Sequence, residues 1–160
     1  MTGNFKEKMS LGEIKIDVKF VNTFTTTFTL YQGEIEIGIC DVTIRELYDN
    51  EKEYIYNTIK DYKISNPNTY NINWIEIYKD KINFYESYKG IGTFFLNYCI
   101  NYLIRNSKNK IHFSTLDNCI DHKCSESYNK IYFYKRLGYE WIYFDEVENK
   151  PSGPEMIKFL

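Results

Sequence analysis

Between Ile91 and Ile104 the chain carries Phe94, Phe95, Leu96, Tyr98, Cys99, Ile100, Tyr102 and Leu103. At 3.6 residues per turn these apolar side chains cover more than one stripe, so a helix here has to be largely buried and needs a layer to lie on. Other segments can supply that layer. Ile14, Ile16, Val18 and Phe20 alternate with charged neighbours, as a half-buried strand does. Residues 25–31 are rich in β-branched and aromatic types, and beyond Gly33 the run Ile35, Ile37, Ile39 alternates again, so these two segments read as a hairpin. Ile72, Trp74, Ile75 and Ile77 begin another strand, residues 111–116 a short one, residues 139–144 an aromatic one and residues 156–160 the last.

Helical spacing returns in two further places. Leu47, Ile55 and Ile59 predict one or two helices within residues 43–64, with Asp41 or Thr43 available as the cap. Residues 125–137 read as a helix with Lys135 and Arg136 in its last turn and Gly138 at a left-handed stop. Strands come both in runs and interleaved with helices, and no repeat, low-complexity tract or Ser/Gly linker divides them. The predicted class is therefore α/β (mixed α+β), a central mixed, largely antiparallel sheet flanked by helices. A single domain over residues 1–160 is expected, since that length suits one core.

Charge and composition narrow the function. The formal net charge of -2 leaves no basic stripe to neutralise a phosphate backbone, so no nucleic-acid partner is expected. No apolar run approaches the ~18 residues of a membrane span, and no basic start precedes an apolar stretch, so the chain reads as cytoplasmic with no membrane partner. Cys40, Cys99, Cys119 and Cys124 include no C-x-x-C pair. Cys119, His122 and Cys124 are closely spaced but lack a fourth ligand, so no metal is expected. His112 sits in an apolar alternation and His122 in a polar segment beside Asp121, and neither reads as catalytic. The sixteen tyrosines accompany an abundance of Asn, Ile and Lys, a composition suggesting an A/T-rich genome, so their number carries no functional weight.

The informative stretch is INFYESYKGIGT, residues 82–93, where a strand gives way to Gly90-Ile91-Gly92 and then to the apolar helix. The first turn of a helix presents amide N–H groups and the positive end of the dipole, while glycines let an anion approach the backbone. Lys89 adds a cation. No G-x-x-x-x-G-K-[ST] is present, and Phe95 stands where a dinucleotide fingerprint needs its third glycine, so P-loop and Rossmann readings fail.

Together with FYKRLGYEWI and the terminal EMIKFL, this stretch resembles the cofactor-binding half of the GNAT superfamily of acyl-CoA N-acyltransferases over residues 72–160. The family's turn reads Arg or Gln, two variable residues, Gly, any residue, then Gly or Ala. Here it is Ser87, Tyr88, Lys89, Gly90, Ile91 and Gly92, so both glycines match. Ser87 departs from the pattern, which leaves one phosphate contact weakened or taken over by Lys89.

The resemblance implies acetyl-CoA as co-substrate and direct attack of an amine on its thioester. The implied cofactor contacts are Ser87, Tyr88, Lys89, Gly90, Ile91, Gly92 and Thr93, with Ser127 and Asn129 from the later helix. Backbone N–H groups near Ile82, Asn83 and Phe84 are expected to receive the carbonyl oxygen. Tyr134 matches the family's tyrosine that protonates the departing thiolate, and Glu76 is the carboxylate chosen to take the proton of the amine. Implied partners are acetyl-CoA and a primary amine of a small molecule or protein, and pairing of the last strands would allow a homodimer. Two other readings remain, a catalytically inactive CoA-binding module and a non-catalytic interaction protein.

Overall fold

The computed structural model describes residues 14–82, 89–117 and 133–160. Among these residues the elements follow one another as β1 (Ile14–Phe20), β2 (Thr25–Gln32), β3 (Ile35–Glu46), α1 (Asp49–Thr58), β4 (Asn68–Ile77), α2 (Ile91–Asn106), β5 (Phe113–Leu116), β6 (Glu140–Trp141), β7 (Phe144–Asp145), β8 (Lys150–Pro151) and β9 (Met156–Phe159). Seven of the strands form one sheet in the order β1-β2-β3-β4-β5-β9-β6, and β7 with β8 forms a separate ribbon. The pairs β1/β2, β2/β3, β5/β9 and β6/β9 are antiparallel and β4/β5 is parallel. The sheet is thus mixed and mostly antiparallel, as the sequence predicts.

Two compact units share the chain, Met1–Thr43 with Asn73–Asn106 and Ile44–Ile72 with Ser107–Leu160. In the first, the alternation of β2 and β3 buries Phe28, Leu30, Ile37, Cys40 and Val42. The α2 helix buries Ile91, Phe95, Leu96, Cys99, Ile100 and Leu103. Phe28 meets Tyr102 edge to face at 5.7 Å, which sets α2 against β2. The expectation that α2 is largely buried needs correction, because its second apolar stripe, Phe94, Tyr98 and Tyr102, is only half-buried. These rings are four residues apart and pack along the helix at 6.2 Å for each successive pair.

In the second unit Leu47, Ile55, Phe113 and Ile157 form a core flanked by Tyr54, Tyr62, Ile64, Ile142 and Phe159. Two local expectations change here. The strand predicted to end near Ile39 runs on to Glu46, because β2 continues to pair with it as far as Thr25↔Thr43. The following helix therefore starts only at Asp49, and neither Asp41 nor Thr43 caps it. Instead the Glu51 carboxylate accepts the Tyr48 N–H at 2.7 Å, the reciprocal half of a capping box. The aromatic strand expected at residues 139–144 divides into β6, paired with β9, and β7, paired with β8.

Candidate functional site

The β4 strand leads through a 3-10 turn at Lys79–Lys81 toward α2. Gly90 has φ +87, a left-handed conformation that costs an L side chain about 1–2 kcal/mol. Its carbonyl accepts the Phe94 N–H at 3.0 Å, making it the residue from which α2 starts. Helix geometry leaves the amides of Ile91, Gly92 and Thr93 without carbonyl partners inside the helix. Among the described residues no acidic side chain occupies that first turn, where the positive end of the dipole favours an anion. Among the described residues a Cβ placed on Gly90 would meet nothing within 4 Å. Lys89 and Gly90 are exposed, Gly92 and Thr93 half-buried, and Ile82 and Ile91 buried. Of the other expected contacts, Asn83, Phe84, Ser87, Tyr88, Ser127 and Asn129 lie outside the described residues, as do Cys119, His122 and Cys124.

Tyr134 is 6% exposed and belongs to the helical turn at residues 133–136. Its carbonyl accepts the Tyr139 N–H at 3.1 Å while Gly138 N–H bonds the Lys135 carbonyl at 3.1 Å, the paired bonds of a Schellman stop. Gly138 is at φ +94, which explains why the stop carries a glycine. The Tyr134 ring meets Tyr139 edge to face at 5.8 Å, the apolar contact that accompanies this motif. Tyr139 in turn places its hydroxyl 2.6 Å from Ser114 Oγ, which donates to the Tyr70 carbonyl at 3.0 Å. Ser114 lies on β5, so one hydrogen-bonded chain ties the helix stop to that strand.

Glu76 is exposed on β4. Its surroundings are acidic: burial raises the Tyr78 phenol above its usual value, and the charges of Glu36 and Glu76 push it further up. Gly90, Ile91, Gly92 and Thr93 are consecutive and share one turn at the start of α2.

The second unit also contains a polar cluster that the sequence reading missed. Arg45 Nη1 and Nη2 bond Glu51 Oε1 and Oε2 at 2.7 and 2.9 Å, a two-pronged pair. Nη2 further reaches Asn71 Oδ1 at 3.0 Å, Thr115 Oγ1 at 3.2 Å and Asp117 Oδ1 at 2.7 Å. Glu51 is 0% exposed, and the side chains of Arg45 and Asp117 are 15% and 33% exposed. Burial pulls the guanidinium down, but the hydrogen bonds and charges of Glu51 and Asp117 outweigh it, so Arg45 is held above its usual value. The Arg45 guanidinium carbon also lies 3.9 Å from the centre of the Tyr48 ring. The only sequence signal was an arginine within an apolar alternation, between Ile44 and Leu47. Among the described residues the parallel pairing of β4 and β5 ends at Asn71↔Thr115, beside this cluster, while β4 continues to Ile77. Asp117 immediately follows β5.

No protein-family model matches the sequence, and no curated protein does either. The fold, by contrast, has counterparts among solved structures. A bacterial toxin aligns with 17% identity and a TM-score of 0.58, covering 84% of this chain and 67% of its own. Mosquito arylalkylamine N-acetyltransferase like 5b aligns with 11% identity and a TM-score of 0.51, covering 84% and 74%. AtaTR bound with AcCoA aligns with 14% identity and a TM-score of 0.50, covering 86% and 72%. At these identities the likeness speaks for the fold alone, and the fold of this chain is that of the GNAT-type N-acetyltransferases.

Proposed function

We propose that the chain is an acetyl-CoA-dependent N-acetyltransferase acting on a primary amine. The observation that carries this reading is the opening of α2, where Gly90 at φ +87 precedes a first helical turn that contains no acidic residue, in a GNAT-type fold. Such an opening suits a diphosphate, because N–H groups and the helix dipole both favour negative charge there. That a structural neighbour is AcCoA-bound supports the same co-substrate.

In this reading the amides of Gly90, Ile91, Gly92 and Thr93, with Ser87, Tyr88 and Lys89, hold the diphosphate, and Ser127 and Asn129 add contacts from the later helix. Acetyl-CoA supplies the acetyl thioester. Backbone N–H groups around Ile82, Asn83 and Phe84 receive the carbonyl oxygen as it gains charge. Glu76 takes the proton of the attacking amine, directly or through water, and its exposure on β4 leaves it reachable. Tyr134 gives its proton to the departing sulfur, and the Schellman stop fixes its backbone for that role.

Calorimetric titration of acetyl-CoA into the full chain, beside Gly90→Val, tests the reading. Binding by the native chain and much weaker binding by the variant is the expected result, together with about 2.7 kcal/mol of added stability at 100 times the dissociation constant. Thiol release with a panel of polyamines, amino sugars, amino acids and peptides, lost in Tyr134→Phe, completes it. Absence of acetyl-CoA binding would defeat the proposal, and binding without turnover on any amine would leave a CoA-binding module.

A further inference from the structure

The β1 strand ends the seven-stranded sheet on one side, so among the described residues it pairs only with β2, from Ile14↔Gln32 to Phe20↔Thr26. Just beyond that ladder the Val21 N–H bonds the Thr25 carbonyl at 2.9 Å. Hydrogen-bonded residues alternate along an antiparallel pair. Lys15, Asp17 and Lys19 therefore turn their backbone groups toward β2, while Ile14, Ile16, Val18 and Phe20 turn theirs outward. An outward row of this kind is a template for another strand. At the other end of the sheet β6 spans only Glu140–Trp141, too short to offer a comparable row.

The side chains say which strand fits. Lys15, Asp17 and Lys19 are exposed on one face, and Ile14, Ile16 and Val18 are half-buried on the other. Phe20 continues the apolar row but is 63% exposed, and Val21 and Phe24 beside it are exposed too. This apolar patch sits on an ordered turn, because Asn22 Oδ1 accepts the Phe24 and Thr25 N–H groups at 2.8 and 2.9 Å.

Charge then chooses among antiparallel registers of two β1 strands. Centred on Asp17, the pairing sets Asp17 against Asp17 and Lys15 against Lys19, like against like. Moved by a single residue, it sets the apolar face of one strand against the charged face of the other. Centred on Ile16, it pairs Lys15 with Asp17 but sets Phe20 beyond the second copy's Ile14. Centred on Val18, it sets Val18 against Val18, each Asp17 against a Lys19 and each Phe20 against an Ile16. This last register joins unlike charges and covers the exposed ring.

We propose that the β1 edge is a self-association surface, on which two copies of the chain pair antiparallel about a two-fold axis at Val18. Outward backbone groups and the Phe20–Ile16 contacts hold the pair. The Asp17–Lys19 pairs, exposed and individually weak, select the partner and the register. The proposal concerns the first unit alone and does not depend on the acetyltransferase reading.

Sedimentation equilibrium of the full chain, from micromolar to millimolar concentration, should show the 19.3 kDa chain passing into a dimer. Asp17→Lys and Lys19→Asp each create two like-charge pairs and should each weaken association at least ~10-fold. Folding should be unaffected, since the 3.9 Å approach of Lys15 to Asp17 is between side chains more than half exposed. Mixed in equal amounts, the two variants should associate about as well as the native chain, because every pair at positions 17 and 19 is then unlike. In the register centred on Ile16 the mixture would keep a like pair at positions 15 and 17, so recovery also fixes the register. A native chain that stays monomeric, whatever else occupies the edge, overturns the proposal. So does a dimer undiminished in either variant, or a mixture that remains dissociated.

Discussion

The two units stabilise their interiors by different means. In the first unit Phe28, Leu30, Ile37 and Phe95 are each 0% exposed, and among its described residues the buried polar side chain is Thr26. The second has an apolar cluster too, but it also buries Glu51, Asn71, Thr69 and Thr115, joined through hydroxyls, an amide and the Arg45–Glu51 pair, and Ser114, bonded to Tyr70 and Tyr139. An apolar interior tolerates approximate partners, since burial is non-directional and scales with area. A buried ionic interior requires its particular partners, because a charge left alone there keeps its desolvation cost and loses its compensation. The difference teaches where this chain is brittle: the first unit should lose stability in proportion to volume removed, the second according to which partner is removed.

Removing a partner gives the largest expected effect. Glu51→Ala leaves Arg45 buried without its two-pronged carboxylate and should cost about 3–5 kcal/mol in urea unfolding. Phe95→Ala in the apolar interior should cost a similar ~3–5 kcal/mol, so single truncations alone do not separate the two regions. The separating experiment replaces both members together. Arg45→Met with Glu51→Leu should be less destabilising than Glu51→Ala by at least about 2 kcal/mol, because the charge that then loses its partner, Asp117, is 33% exposed and stays solvated. Equal losses would mean that the second interior behaves like the first.

Ser114→Ala sharpens the comparison with a neutral hydrogen bond. It removes the 2.6 Å hydrogen bond to the buried Tyr139 hydroxyl and should cost about 1–3 kcal/mol by the same unfolding measurement. At the surface, Lys135 and Glu140 approach to 2.6 Å but are 40% and 57% exposed, so solvent screens the pair. A double-mutant cycle to Ala at both positions should report at most about 0.5 kcal/mol of coupling. A value near that of the buried pair would contradict the ranking of interiors by partner specificity.

Much of the sheet was legible beforehand, since β1 falls where alternation places it, β2 where the β-branched and aromatic run lies, and β9 within the strand expected at residues 156–160. Alternation did not reveal where β3 ends. Val42 and Ile44 suit a strand as well as a helix start, and the Thr25↔Thr43 pairing, with its hydroxyls 3.1 Å apart, extends the strand. The start of α1 was misread for the same reason, because its N-terminal bond comes from Glu51 inside the helix rather than from Asp41 or Thr43.

What the sequence determined by itself is local. Gly90 and Gly138 announce a turn into one helix and a stop after another because positive φ is a property of single residues that glycine meets at little cost. Their surrounding motifs carried the GNAT resemblance for that reason. The Arg45 cluster was decided only by the tertiary structure. Its partners lie 6, 26, 70 and 72 residues away along the chain, and no spacing rule links such positions. Only when β3, α1, β4 and β5 are assembled do one guanidinium and two carboxylates share a small, poorly solvated volume, where their charges acquire consequence.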